Sequence, residues 1–263
     1  LGPVQDFIAA ARITRDLWSG SYLISWLMTV GLKKLSALTG PDAVIFPNLH
    51  GQPVFDFLWK ADLWSHLTVD GRTELAQIEH SDSALIISNL PNVFLALVPN
   101  DSARAIAQAV ETAIREEWKM IADAVWDFAI RDGAENADRA RFDAQITRHL
   151  SITWQTTPFP VTLDDAEKLV NVLPDKDLLL SRFRLIRKTF EQDMPFDHRD
   201  RRFYANDSKT KLNNIGLAWP LVVAYNQWQL DAIRNTRVFA GSPVKQEDSG
   251  LPKDALTGVE EQV

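Results

Sequence analysis

Apolar residues recur at helical spacing through Phe7, Ala11, Trp18, Tyr22, Trp26 and Val30, which predicts a first helical block from about Gln5 to Leu38. Ser19-Gly20-Ser21 interrupts that block with small residues. There the helix either lets another segment approach closely or bends. Gly40-Pro41 is a stop signal. Ala43 to Pro47 reads as a short strand, residues 48–82 as mixed and turn-rich, and Ala84 to Ser88 as ambiguous. Val93 to Val98 is apolar throughout and predicts a strand buried on both faces. A second helix is predicted from Ser102 to Ile130, capped by Asp101 or Ser102, with one stripe through Ile106, Val110, Ala113, Ile114, Trp118, Ile121, Val125 and Phe128. Phe142 to His149 predicts a shorter helix, and Ser151 to Thr156 alternates like a strand before Pro158 and Pro160.

The first 160 residues thus read as strand end, helix, strand, strand, helix, strand. This βαββαβ order is the ferredoxin-like plan of nucleotide polymerase and cyclase palms, and by itself assigns no function. Beyond Pro160 the pattern turns helical. Asp164-Asp165 is expected to cap a helix to about Leu173, followed by helices over Leu178 to Phe190 and Leu217 to Phe239. The fold class expected is α+β: a ferredoxin-like palm over residues 1–165, its first strand truncated, then a helical domain over 166–240. Residues 241–263 read as a linker or an incomplete small module. The opening residues look like the end of a strand, so a piece of a longer protein is expected.

Composition narrows the chemistry. The 263 residues hold no cysteine, which excludes disulfides, thiolate metal sites and cysteine nucleophiles. A net charge of −7 argues against a generally basic coat for nucleic acid, though not against a local patch. Between residues 182 and 211, nine Lys and Arg stand against five Asp and Glu, with Phe203 and Tyr204 among them. That stretch, including Arg199, Arg201, Arg202, Lys209 and Lys211, reads equally as a footprint for RNA or another acidic partner and as a polar loop between helices. No apolar run is long enough to span a membrane.

Gly2-Pro3-Val4-Gln5 sits where a strand passes into a helix, and free N–H groups at such a turn can hold phosphate. The plain alternative is a tight turn with proline at the helix start. Arg12 and Arg15 on the same helix read either as phosphate or RNA contacts, or as a solvated face with Arg12 paired to Asp16. Asp164-Asp165 is an acidic doublet that could bind Mg²⁺, but helix capping accounts for it. The five histidines, His50, His66, His80, His149 and His198, include no pair at metal-binding helical spacing. No serine nucleophile elbow and no P-loop occur.

The run Gly2-Pro3-Val4-Gln5-Asp6-Phe7-Ile8, followed by Ala10-Ala11-Arg12, Thr14-Arg15-Asp16-Leu17-Trp18 and Gly20-Ser21, resembles the large subunit of type III-B CRISPR effector complexes, the Cmr complex. Weaker resemblances come after it in order: Leu90-Pro91-Asn92 with Phe94-Leu95-Ala96, Phe142-Asp143 with Gln145, Ile152 with Trp154, Arg237 with Phe239, and Leu256-Thr257-Gly258 with Glu260. Val93 stands where arginine is usual, and no cysteine precedes Leu256, so no zinc is expected in this chain. The Gly-Gly-Asp-Asp motif of the family's second palm is absent, as is an HD nuclease dyad.

The resemblance implies an antiviral role in a cytoplasmic ribonucleoprotein. Its partners would be other Cmr subunits, CRISPR RNA, target RNA and a second palm of the same full-length subunit. It implies that target RNA triggers synthesis of cyclic oligoadenylate from ATP, with Mg²⁺ held by the second palm. This chain would form one wall of the ATP pocket through Gly2, Pro3, Val4, Gln5, Ser19, Gly20 and Ser21, and would be inactive alone. The alternatives are a non-catalytic scaffold palm that binds RNA and subunits, or an unrelated α+β protein with a helical interaction domain.

Overall fold

The first helix, α1 (Thr14–Thr39), buries two adjacent stripes of its surface. Leu27 and Leu35 face Val110, Ile114 and Leu150. Met28 and Leu32 face Leu49, Phe55 and Leu90. A computed structural model describes residues 1–2, 4, 11, 13–63, 68, 70, 80–131, 133, 137–192 and 215–236. They belong to two compact units, one within Leu1–Ile152 and one within Thr153–Ala240. Among them the structure is mostly helical, with a two-stranded antiparallel sheet.

In the first unit α1 runs without a break through Ser19-Gly20-Ser21. It ends at Gly40, whose φ of 88° suits glycine and whose N–H donates to Ser36 O. Pro41 then prevents continuation. Of the helix predicted from Gln5, residues 5–10 and 12 lie outside the described set. Ser36 is buried at 3% exposure, and its hydroxyl has no hydrogen-bond partner among the described residues. Ser36→Ala is therefore expected to stabilise the unit by about 1 kcal/mol, removing an unpaired buried hydroxyl and improving helix propensity. A lower urea midpoint in the variant would contradict this.

Strand β1 (Val44–Phe46) comes after α1, and α2 (Pro53–Leu63) after β1. The turn-rich pattern of 48–82 predicts no such helix. Asn48, Gly51 and Pro53 are turn residues, but Pro53 also suits a first helical position, and Val54 and Phe55 are buried beneath it. A short helix α3 (Asp82–Leu85) is capped by Ser81, which accepts from Ala84 N. His80 Nε2 and Asp56 Oδ2 lie 2.8 Å apart and tie the start of that segment to α2.

Strand β2 (Leu95–Ala96) pairs antiparallel with β1, Val44 opposite Ala96 and Phe46 opposite Leu95. The expected strand Val93–Val98 is thus reduced to two residues and is not buried on both faces. Phe94, Ala96 and Val98 pack against the α1 core, whereas Val93 is 41% and Leu97 54% exposed. The all-apolar run here obeys ordinary strand alternation, with helices on one face only among the described residues.

Helix α4 (Ala103–Val125) passes directly into a wider π turn, Trp126–Ile130. Its buried line is Val110, Ile114, Ala122 and Trp126, so Val125 and Phe128 of the predicted stripe face outward. α1 and α4 meet closely at Gly31, where an added Cβ would lie 2.7 Å from Ile114 Cδ1.

Helix α5 (Arg139–His149) is capped by Asp138. Arg139 lies over the Trp126 ring and pairs with Asp123 and Asp143. Lys119 and Arg139 together hold the Asp123 carboxyl below the ordinary carboxylate range. The predicted strand Ser151–Thr156 is a single bridge: Gly2 N donates to Ser151 O and Ser151 N to Gly2 O. On the other side of the opening residues, Leu1 N donates to Asn92 O and Asn92 Nδ2 to Leu1 O.

Among its described residues the second unit is helical. Helix α6 (Leu163–Leu169) is capped by Thr162, not by the acidic doublet. Thr162 Oγ1 accepts from Asp165 N, and Asp165 stands at the third helical position as in a capping box. Helices α7 (Lys176–Gln192) and α8 (Trp219–Thr236) complete it. Leu163, Ala166, Val170, Leu180, Phe183, Ala218 and Leu221 form its core.

Candidate functional site

A cleft of about 580 Å³ opens in the first unit beside the N-terminal half of α1. Leu17, Trp18, Gly20, Ser21 and Ile24 form one wall, and Ile87, Ser88, Leu90 and Asn92 the other, with Val4 at one end. The two walls are tied at three levels. Trp18 Nε1 donates to Ile86 O at 2.9 Å. The Ser21 and Ser88 hydroxyls lie 2.9 Å apart, and Ser88 Oγ also reaches Ser21 O. Ser25, buried in α1, accepts from Leu90 N at 3.1 Å. The serines let the 86–90 segment lie against the helix and satisfy its polar groups. Of the two readings of Ser19-Gly20-Ser21, close approach is the one realised.

The predicted site residues divide. Val4, Gly20 and Ser21 line the cleft. Ser19 does not, since its hydroxyl donates back to Arg15 O and it lies in a different groove. Gly2 N–H already donates to Ser151 O. Arg15 is exposed in the first turn of α1. Pro3, Gln5, Arg12, Arg199, Arg201, Arg202, Lys209 and Lys211 lie outside the described residues.

Within the basic stretch, Arg184 and Arg187 are already committed. Arg184 donates twice to Glu167, and Arg187 donates to Asp164 at 2.7 Å. Arg182 and Lys188 are exposed on α7. Asp165 is engaged by Lys168, which with Thr162 holds its carboxyl below the ordinary range. Neither carboxylate of the doublet is thus free for a metal. Among the described residues no three His, Asp or Glu gather as a metal site.

Sequence reasoning missed Trp18, Ile24, Ile87, Ser88 and Leu90 as lining residues. Of the aromatic series Trp18, Tyr22, Trp26 only Trp18 lines this cleft, and no sequence signal pairs it with Ile87, Ser88 and Leu90, which meet α1 only in the fold.

The cleft falls inside the segment that comparison with known proteins identifies. Residues 1–123 match the family model described as CRISPR-associated protein Cmr2, N-terminal. An alignment of 186 residues, 67% of this chain, is 29% identical to the CRISPR system Cmr subunit Cmr2 of Pyrococcus furiosus. These matches support a likeness to the N-terminal region of a type III-B large subunit. A 54-residue alignment, 20% of this chain, is 39% identical to the CRISPR system CMR subunit Cmr2 of Saccharolobus solfataricus. The chain spans 19% of the first relative's length, and the second alignment 5% of the other's. Every residue lining the cleft belongs to the Cmr2-type region. Among the described residues, no helix is long and apolar enough to cross a membrane.

Proposed function

We propose that this chain supplies one wall of an ATP pocket in a type III-B CRISPR large subunit, acting in antiviral defence within a cytoplasmic Cmr complex. The observation that carries the reading is the cleft, whose wall is built by Gly20 and Ser21 of the motif-bearing helix. Its chemistry suits the nucleoside part of ATP. Trp18, Leu17 and Ile24 offer apolar surface for a base, and the mutually bonded Ser21 and Ser88 hydroxyls are polar groups that a ribose would meet. No lysine or arginine lines it among the described residues. Mg²⁺ would rest on a second palm outside this chain. There the ion would neutralise charge developing on the transferred α-phosphate.

A ferredoxin-like palm is consistent with the strand neighbours. Ser151 lies beside Gly2, Leu1 beside Asn92, and β2 beside β1. That is the order last, first, third, second, with α1 and α4 packed together through Leu27, Val110 and Ile114. Binding of CRISPR RNA, target RNA and the other subunits belongs to the same proposal.

The test is ATP binding and cyclic oligoadenylate output by the complete subunit in its assembled complex. Ser21→Trp fills the cleft and is expected to weaken ATP binding at least tenfold, a loss of about 1.4 kcal/mol. An unchanged affinity in a complex that assembles normally would favour the scaffold reading.

A further inference from the structure

The opposite flank of α1 carries a second concavity, a shallow groove of about 490 Å³ between α1 and α4. Trp18, Tyr22 and Trp26 line it at successive four-residue intervals, with Leu23 between them and Ile121 and Glu117 across from them. Trp18 and Tyr22 stack with centroids 5.5 Å apart. The Trp26 indole donates to Glu117 Oε1 at 2.7 Å, which fixes the carboxylate beside the rings. Among the described residues no lysine or arginine forms an ion pair with Glu117. The neighbouring cations on α4 are engaged elsewhere, Arg115 with Glu111 and Lys119 with Asp123.

We infer that this groove receives an arginine side chain from a partner protein. The charge and the rings argue for the same occupant. Aromatic faces attract a cation, and the planar guanidinium both stacks on them and hydrogen-bonds a carboxylate. Leu23 and Ile121 offer apolar surface for the methylene stem. An RNA backbone meets a fixed negative charge here and is disfavoured. A free small ligand is poorly served by so open a groove, since small-molecule sites bury most of their ligand. The chain's net charge of −7 adds long-range attraction for a basic partner surface. This inference does not rest on the nucleotide reading, although Trp18 borders both the cleft and this groove.

The experiment tracks the indole N–H resonances of Trp18 and Trp26 in the 263-residue chain. The probes are acetyl-Ala-Arg-Ala-amide and the same peptide with neutral citrulline for arginine. The arginine peptide is expected to move both resonances saturably, and the citrulline peptide to leave them in place. Glu117→Gln keeps an oxygen acceptor for Trp26 Nε1 but removes the charge. It is expected to weaken binding about fivefold, the scale of a partly exposed ion pair. Trp18→Ala is expected to weaken it similarly without touching the Trp26–Glu117 bond. If Glu117 only fastens α1 to α4, the Glu117→Gln chain binds the arginine peptide as wild type does, and the inference fails. Equal response to both peptides, or no saturable response to the arginine peptide, overturns it as well.

Discussion

Gly31→Val is expected to destabilise the first unit by about 2–3 kcal/mol, the cost of forcing extra carbons into a closely packed interface. Gly31 lies where α1 crosses α4. A Cβ there would stand 2.7 Å from Ile114 Cδ1, 3.1 Å from Ile114 Cγ1 and 3.4 Å from Val110 Cγ1. Ile114 is 2% exposed, so its side chain has little room to withdraw. Helix propensity works the other way, since glycine within a helix costs up to ~1 kcal/mol relative to alanine. The clash outweighs it for a β-branched residue, which also loses rotamer freedom. Chemical denaturation checks this. Adding Ile114→Ala to Gly31→Val should cost less than Ile114→Ala costs alone, because the valine fills the space the isoleucine leaves. A single Gly31→Val variant as stable as wild type would mean the helices separate freely here.

Phe183→Ala is expected to lower the stability of the second unit by about 3–5 kcal/mol, the usual cost of deleting a buried ring. Phe183 is 4% exposed and, among the described residues, is the only aromatic that is fully buried in that core. Its companions there are leucine, valine and alanine, including Leu221 and Ala218 at 0% exposure. Such a small core has few side chains able to fill the space left behind. Calorimetry of the full chain measures the shift. A change below about 1 kcal/mol would show that the site collapses around the cavity.

Both predictions rest on helices that are legible in the sequence. Apolar residues recur at helical spacing along 14–39, 103–125 and 176–192, and that recurrence is a property of each segment alone. The α2 helix is hidden because Asn48, Gly51 and Pro53 signal turns and, among its residues of described burial, only Val54 and Phe55 are fully buried. The sequence reads Asp164-Asp165 as the cap of α6, and only the backbone geometry shows Thr162 in that place. Arg184 and Arg187 count toward a basic patch in the sequence, yet the fold sets them against Glu167 and Asp164, some 17 to 23 residues earlier.

By itself the sequence determined the principal helices, the change to helical structure after Pro160 and the motif by which residues 1–123 resemble the type III-B large subunit. The tertiary structure decided which face of the 93–98 run is covered, and what the small residues of α1 are for. Ser25 meets Leu90 across 65 residues, Ser21 meets Ser88 across 67, and Trp26 meets Glu117 across 91. Helical periodicity arises from neighbours within a few residues and is written locally. A cleft is made by two segments brought together, so its walls exist only once α1 has packed against the 86–92 segment, as those of the second groove exist only once α1 has packed against α4.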